Sequence, residues 1–326
     1  DYLIKRLGAD RCLRVKLPHK DANKCLQEGV DLKECIEMAE SIDPSGIRTG
    51  SSMADKVWNT IRQGKREELG IVPFDWVDGN GHPIKFRFRP GEGTVITGYN
   101  GSGKSNFAYL LMAWLICTRG DKCFIGSYEE SASQILSIMV AHAMGRRLTS
   151  NEFSIFKTIS SKMLANIVIH DFEGSVRHKD FFENAHYAVR RHGAQFVLLD
   201  SATTTDVNLE DKSQVDAFAK ECQSFWRKSG AHLLMICHPR KGFDESKPPL
   251  KMDVKGSGGL TDLFNNVVTL HRSPGTVGVG SFIVSKQKCG GMMPTVHTHY
   301  DRESMRLLQD EDAEVKPWVS LAENPF

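Results

Sequence analysis

Eight residues, Gly98-Tyr99-Asn100-Gly101-Ser102-Gly103-Lys104-Ser105, leave this chain few architectures to choose from. They fit G-x-x-x-x-G-K-[ST], with an apolar strand pattern before them (93–97) and an apolar helix pattern after them (106–118). Glycines at these places let backbone N–H groups turn inward around phosphate oxygens, and the following helix adds the positive end of its dipole. Gly98, Asn100, Gly101, Ser102, Gly103, Lys104, Ser105 and Asn106 are therefore the expected nucleotide contacts. Lys104 is expected to reach the β- and γ-phosphates, and the Ser105 hydroxyl to ligate Mg²⁺.

A loop of this kind sits at the end of a strand in a parallel sheet, and the sequence from about residue 71 supplies one. Short apolar strands are expected at 93–97, 122–127, 166–170, 196–200 and 232–237. Helical patterns at 106–118, 131–144, 179–192 and 213–228 alternate with them. Strands apolar on both faces, interleaved with helices, indicate an α/β fold with a mostly parallel sheet covered on both sides. Short segments at 267–271, 280–286 and 294–300 read as an antiparallel extension, and the acidic, proline-interrupted tail from Asp310 reads as frayed.

Before this core, residues 12–17 alternate like an exposed strand, a helical stretch runs to about Glu40, and Asp43-Pro44-Ser45-Gly46 breaks the chain. Residues 51–69 read as a separate amphipathic helix with Met53, Val57, Trp58 and Ile61 on one stripe. That stripe has to be covered, either by its own domain or by a neighbouring subunit.

The length of 326 residues gives a prior of roughly two domains. The formal net charge of +2 excludes a globally basic nucleic-acid binder but leaves room for a local basic groove. None of the eight cysteines forms a C-x-x-C pair, which argues against structural zinc and for reduced, buried thiols. The longest apolar run, 107–117, is about half of a membrane span, and residues 1–20 lack the apolar segment of a signal peptide.

Further candidates lie at strand ends, which face the ligand crevice in such sheets. The run 196–200 ends in Asp200, placed to hold the Mg²⁺ shell. Ser127-Tyr128-Glu129-Glu130-Ser131 offers two carboxylates, either able to polarise an attacking water; helix-capping charge is the plainer role for Glu130. His238 ends the run 232–237, where it could report on a γ-phosphate. Between 239 and 255 five cations, Arg240, Lys241, Lys247, Lys251 and Lys255, outnumber three carboxylates, and Gly256-Ser257-Gly258-Gly259 follows. Such a loop suits phosphate-backbone contact without base readout.

These motifs, in this order, resemble the phage-type primase–helicase family, whose mitochondrial member is Twinkle and whose kin are the DnaB-like ring helicases. The likeness is carried by GYNGSGKS (98–105), SYEES (127–131), FVLLDS (196–201), ICHPRK (236–241) and VKGSGGL (254–260), then VVTLHR (267–272), SKQK (285–288) and HYD (299–301). The resemblance implies a RecA-like motor, using ATP or another nucleotide with Mg²⁺, that forms a ring, expected to be a hexamer, on single-stranded DNA alongside other replication proteins. Position by position it implies Glu129 as catalytic glutamate, His238 as γ-phosphate sensor, and Arg272 and Tyr300 as the pair around the adenine ring. Arg240, Lys241, Lys255, Gly256 and Ser257 fall in the DNA-facing loop, and the helix at 51–69 matches the linker docking on the adjacent subunit. Leu17-Pro18-His19-Lys20-Asp21-Ala22-Asn23 is similar to the end of a TOPRIM primase domain, with Asp21 its last acidic metal ligand. The expected organisation is a TOPRIM remnant (1–45), a linker (46–70), the motor (71–309) and a mobile tail (310–326). The chain starts with Asp1 and lacks the upstream carboxylates, so it is expected to begin inside the primase domain and not to prime alone.

One departure stands out. The family carries Lys-x-Arg where this chain has Lys286-Gln287-Lys288. Spacing i, i+2 keeps both cations on one strand face, toward the neighbour's γ-phosphate, but lysine lacks the planar fork of arginine. A working helicase is the leading expectation. A DNA-binding ring with little turnover and a RecA-like recombinase filament are the alternatives. The expected compartment is the cytoplasm of a bacterium or infected host, or the mitochondrion for a Twinkle orthologue.

Overall fold

In the computed structural model the chain divides into two units, Asp1–Lys65 and Arg66–Phe326. The structure describes residues 2–42, 47–172, 174–240, 244–273, 275 and 278–320. The expected break at 43–46 lies outside the described residues.

The first unit is built of short pieces: α1 (Tyr2–Leu7), β1 (Leu13–Arg14), α2 (Ala22–Gln27), α3 (Leu32–Glu37), β2 (Glu40–Ser41) and α4 (Ala54–Arg62). The single helix expected up to Glu40 is divided because Gly29 takes φ +77° and Asp31 starts a new N-cap, accepting the Lys33 N–H at 2.8 Å. Asp21, expected as a metal ligand, caps α2 by accepting the Lys24 N–H at 2.8 Å. The helix expected over 51–69 is shorter, stopping before Gly64 at φ +88°. Its stripe is uncovered: Val57, Trp58 and Ile61 are 53%, 59% and 61% exposed.

In the second unit, β3 (Gly93–Thr97), β4 (Cys123–Ser127), β5 (Ile167–Ile169), β6 (Phe196–Asp200) and β7 (His232–Ile236) alternate with α5 (Lys104–Arg119), α6 (Ala132–Met144), α7 (Phe153–Lys162), α8 (His178–Tyr187) and α9 (Lys212–Ser229). Then come α10 (Ser257–Leu263), β8 (Asn266–His271), β9 (Val279–Gln287), β10 (Thr295–Tyr300) and β11 (Leu307–Leu308). Among the described residues these strands form one sheet in the order β11-β10-β9-β8-β3-β7-β6-β4-β5, parallel from β8 to β5 and antiparallel from β8 to β11. This is the α/β fold with a mostly parallel sheet that the strand patterns implied.

Side-chain alternation explains why continuous apolar runs form these strands. Leu198, Leu234 and Ile236 pack with α5 and α6 on one face, while Val197, Leu199, Leu233 and Met235 pack with α8 and α9 on the other. Three elements were not legible beforehand. α7 follows a polar stretch, β11 is two residues long, and α10 begins in a glycine run that disfavours helix. Gly259 is required there for packing, since a Cβ would lie 2.4 Å from the Asp216 carboxylate and 2.9 Å from Val215 on α9.

The tail expected to be frayed is mostly exposed but is anchored at Trp318 and Val319. Val319 is buried, the Trp318 N–H donates to the Ala143 carbonyl at 2.8 Å, and the Arg306 guanidinium lies 3.6 Å from the Trp318 ring centre. Buried Arg306 also donates to the His142 carbonyl at 2.8 Å through Nε, and burial lowers its pKa to about 10.

Among the described residues His142, His232 and His271 are buried in this unit, and the first two titrate far from the ordinary value. His142 on α6 is lowered to about 3, chiefly by burial, and its Nε2 donates to the Met305 carbonyl and Asn106 Oδ1, each at 3.1 Å. His232 on β7 is lowered to about 4, again chiefly by burial, between the Arg89 carbonyl (2.7 Å) and the Thr94 hydroxyl (3.0 Å). Both folded-state values lie below the ordinary 6.5, so the unfolded chain takes up protons first as pH falls. Stability is therefore expected to be full above about pH 6.5 and to drop below it by up to about 1.4 kcal/mol per pH unit per histidine. Urea unfolding near neutral pH and at about pH 5 checks this, and His142→Gln should flatten the dependence.

Candidate active site

The loop after β3 has the backbone a phosphate cradle needs. Gly98, Gly101 and Gly103 take φ of +150°, +72° and +89°, and Gly103 is the left-handed cap from which α5 starts. A Cβ at Gly98 would lie 2.2 Å from the Leu270 carbonyl oxygen and 2.5 Å from Ser102 Oγ, so side chains are excluded there. Lys104 is buried at the first turn of α5, its Nζ donating to the Tyr99 carbonyl across the loop at 3.0 Å. Burial lowers its pKa, opposed by the nearby carboxylates of Asp200 and Glu129. The loop thus holds a desolvated cation at the first turn of α5.

Asp200 ends β6 at the same side of the sheet and is 1% exposed. Its Oδ2 accepts from the Tyr109 hydroxyl at 2.8 Å and the Ser127 hydroxyl at 3.3 Å, and those two hydroxyls are 3.0 Å apart. Burial pushes the carboxyl's pKa up; the Tyr109 hydrogen bond and the Ser105 hydroxyl oppose this, while the Glu129 charge adds to it. Tyr109 is held in its protonated, donating form, chiefly by burial and then by the Asp200 charge. Tyr109 carries the single hydroxyl inside the apolar run 107–117, which by pattern alone reads as one more core aromatic.

Three buried oxygens here, Thr97 Oγ1, Ser102 Oγ and Asp200 Oδ1, have no hydrogen-bond partner among the described residues. Unpaired buried oxygens are costly. A carboxylate oxygen and a hydroxyl beside Ser105 suit a hard divalent cation, which binds one or two protein oxygens and takes the rest from phosphate and water. These residues fit Mg²⁺ with a nucleoside triphosphate.

Glu129, just past β4, is half-exposed at the crevice mouth. It accepts from Ser201 Oγ at 2.9 Å, and His238 Nε2 lies 3.7 Å from the same oxygen, too long for a direct hydrogen bond but close enough for charge pairing. The imidazole beside it, ahead of the Ser201 bond and Lys104, holds the Glu129 carboxyl below its ordinary value. Ser201, the last residue of the FVLLDS run, and Thr203, two residues further on, have hydroxyls 2.6 Å apart. Ser131 and Gln134 form the capping box of α6, and Glu130, the residue before that cap, also lines the neighbouring pocket.

That pocket, of about 350 Å³, joins Gly101, Ser105 and Asn106 of the loop region to Arg272 and Tyr300. The expected adenine-ring pair is therefore on one cavity wall system with the phosphate cradle. Asn106 Nδ2 donates to the Met305 carbonyl at 2.9 Å, which fixes the pocket's far edge to the start of α5.

The two lysines at the end of β9 are not equivalent. Lys286 Nζ donates to the carbonyls of Thr261 (2.5 Å), Asp262 (3.1 Å) and Phe264 (2.8 Å). Its ammonium is thus spent as a cap on the C-terminus of α10, and burial lowers its pKa, followed by repulsion from Lys251 and Lys288. Lys288 is exposed just beyond the strand.

A second cleft, of about 890 Å³, brings Tyr99 and Asn100 together with His238, Arg240, Lys255 and Gly256. The loop's two ends are sewn together: Pro239 bridges Val254, the Arg240 N–H donates to the Asp253 carbonyl (2.7 Å) and the Lys255 N–H to the His238 carbonyl (2.9 Å). Lys255 Nζ lies 3.6 Å from Glu210 Oε1, and Gly256 caps α10 at φ +73°. Ser257 is the first residue of α10, and Lys241 lies outside the described residues.

Comparison with known proteins bears on the fold and the family. A DNA helicase/primase from Enterobacteria phage T3 is 22% identical over 338 positions, covering 91% of this chain and 59% of the phage protein. A chloroplastic/mitochondrial Twinkle homologue from Arabidopsis thaliana is 24% identical over 301 positions, covering 84% of this chain and 42% of the plant protein. The chain thus spans about half the length of these relatives. A separately solved ATPase domain superposes with a TM-score of 0.63 at 14% identity, over 82% of this chain and 99% of that one. A DnaB-like replicative helicase, solved with its interactions with primase, superposes at 0.61 and 15% identity, over 88% and 71%. The sheet is therefore that of the ATPase domains in DnaB-like helicases. The model of the AAA domain family (AAA_25) matches residues 73–244, more than half of the sequence, and the chain belongs to that family.

Proposed function

We propose that this chain is the motor of a replicative DNA helicase, hydrolysing ATP where subunits of a ring meet and moving along single-stranded DNA. The observation that supports this most is the cluster of a buried Lys104, the orphaned Asp200 oxygen and the Glu129–His238 pair around one glycine loop. In this reading residues 71–309 are the motor, 46–70 a linker whose uncovered Val57-Trp58-Ile61 face docks on a second copy, and 1–45 the end of a primase domain.

Mg·ATP in the cradle would supply a γ-phosphoryl group ready for transfer to water. Lys104, Ser105, Asp200 and the loop N–H groups would hold it, and Arg272 and Tyr300 would flank the base. Glu129, kept ionised by its neighbours, would accept the water's proton. His238 lies beside Glu129, and its own carbonyl holds the Lys255 N–H, so a displacement of the histidine reaches the basic loop through one hydrogen bond. Arg240, Lys241, Lys255, Gly256 and Ser257 would contact the DNA backbone.

Wild-type protein is expected to hydrolyse ATP faster with single-stranded DNA present and to unwind a forked duplex. A chain that binds nucleotide and single-stranded DNA without stimulation or unwinding would overturn the motor. It would favour a DNA-binding ring with little turnover, the reading supported by the engagement of Lys286 with α10.

A further inference from the structure

The cleft that holds Lys288 is cationic. About 540 Å³ in volume, it is lined by Arg66, Arg227 and Lys288 together with Glu67, Asn265 and Gly290, among others. Arg66 is already committed, its Nη2 lying 2.8 Å from the buried Glu92 carboxylate. Among the described residues no carboxylate pairs with Arg227 or Lys288, and both are exposed. Two cations with a single carboxylate, Glu67, on the same cleft wall call for an anion.

The cleft cannot serve this chain's own phosphate cradle. Gly91 and Asn265 precede the starts of β3 and β8, whereas the glycine loop follows the end of β3. Five residues of strand separate the two edges by about 16 Å. Arg227, in the last turn of α9, and Lys288, beyond the end of the antiparallel β9, both lie at the edge opposite the loop.

We propose that Arg227, with Lys288 beside it, is the guanidinium that meets the phosphoryl group of a nucleotide held by a second copy of this chain. This rests on the ring reading above. It answers the departure at Lys288, because Arg227 restores the planar fork that lysine lacks.

Arg227→Ala is expected to lower DNA-stimulated ATP hydrolysis by about 10³-fold while ADP binding to the variant stays unchanged. Arg227→Lys should recover less than a tenth of the loss, since charge alone does not supply the fork. Mixing Arg227→Ala with Lys104→Ala subunits should restore hydrolysis, each copy supplying what the other lacks. Hydrolysis by Arg227→Ala within twofold of wild type, no recovery on mixing, or a defect confined to single-stranded DNA binding would each overturn the assignment. If wild type itself shows no hydrolysis, the ring reading fails and tripolyphosphate decides the anion site. Binding to Lys104→Ala that is lost in the Lys104→Ala/Arg227→Ala double variant keeps the site, and binding insensitive to Arg227 overturns it.

Discussion

Lys104→Ala is expected to abolish nucleotide-dependent activity, lowering ATP hydrolysis by about 10³-fold or more. Lys104 is buried, donates to the Tyr99 carbonyl and to no other group among the described residues, and has its pKa lowered by that burial. The folded protein therefore disfavours its charged form, and a phosphate group would relieve that. Removing it should leave the ligand-free protein at least as stable, because the desolvation of its charge outweighs the attraction of Asp200 and Glu129. The thermal upshift that Mg·ATP confers on wild type should vanish with it. Calorimetric melts with and without nucleotide test both halves. A variant whose melting temperature falls sharply without ligand would show that Lys104 supports the fold rather than the site.

Glu129→Gln is expected to slow hydrolysis by about 10²–10⁴-fold while nucleotide binding persists, the signature of a lost proton acceptor. Its carboxyl is held below 4.5, first by the imidazole of His238 and then by Ser201 and Lys104. The carboxylate is therefore ionised throughout the neutral range, and the acid limb of the rate should lie below pH 4.5. The sign is that of a depressed acid: the charged form is favoured above that limb and lost as pH falls through the folded value. Single-turnover rates across pH check this, and Glu130→Gln is the control. Glu130 lines the cavity beside the loop instead and, among the described residues, shares no hydrogen bond with Ser201 or His238. Equal slowing in both variants would remove Glu129 from the role.

The glycine loop was legible because its chemistry is contiguous. Backbone freedom at Gly98, Gly101 and Gly103, a cation and a hydroxyl all lie within eight residues, and apolar flanks place them between strand and helix. The central strands were legible for a similar reason, since a run apolar on both faces is stable only under two layers of helix. Glu129, Asp200 and His238 could be proposed from strand ends, but their meeting depends on strand order, which no local pattern contains.

Other features left no local trace. Lys286 and Lys288 are equivalent by spacing, yet α10 takes all the described hydrogen bonds of the Lys286 ammonium and leaves Lys288 exposed. Gly259 looks like loop glycine until α9 is packed against it. The tail looks frayed by composition, but Trp318 covers the buried Arg306. Tyr109 looks like one more core aromatic, although its hydroxyl orients the Asp200 carboxylate.

By itself, then, the sequence determined the phosphate cradle, the parallel sheet and the identity of the residues at the strand ends. These follow from short-range backbone freedom and from hydrophobic periodicity. Which cations remain available, which hydroxyls hold the acid and which edge of the sheet carries Arg227 and Lys288 were decided by the tertiary structure alone. Those outcomes depend on burial and on partners far apart in the chain, and a desolvated charge or hydroxyl takes whichever partner the packing brings within reach.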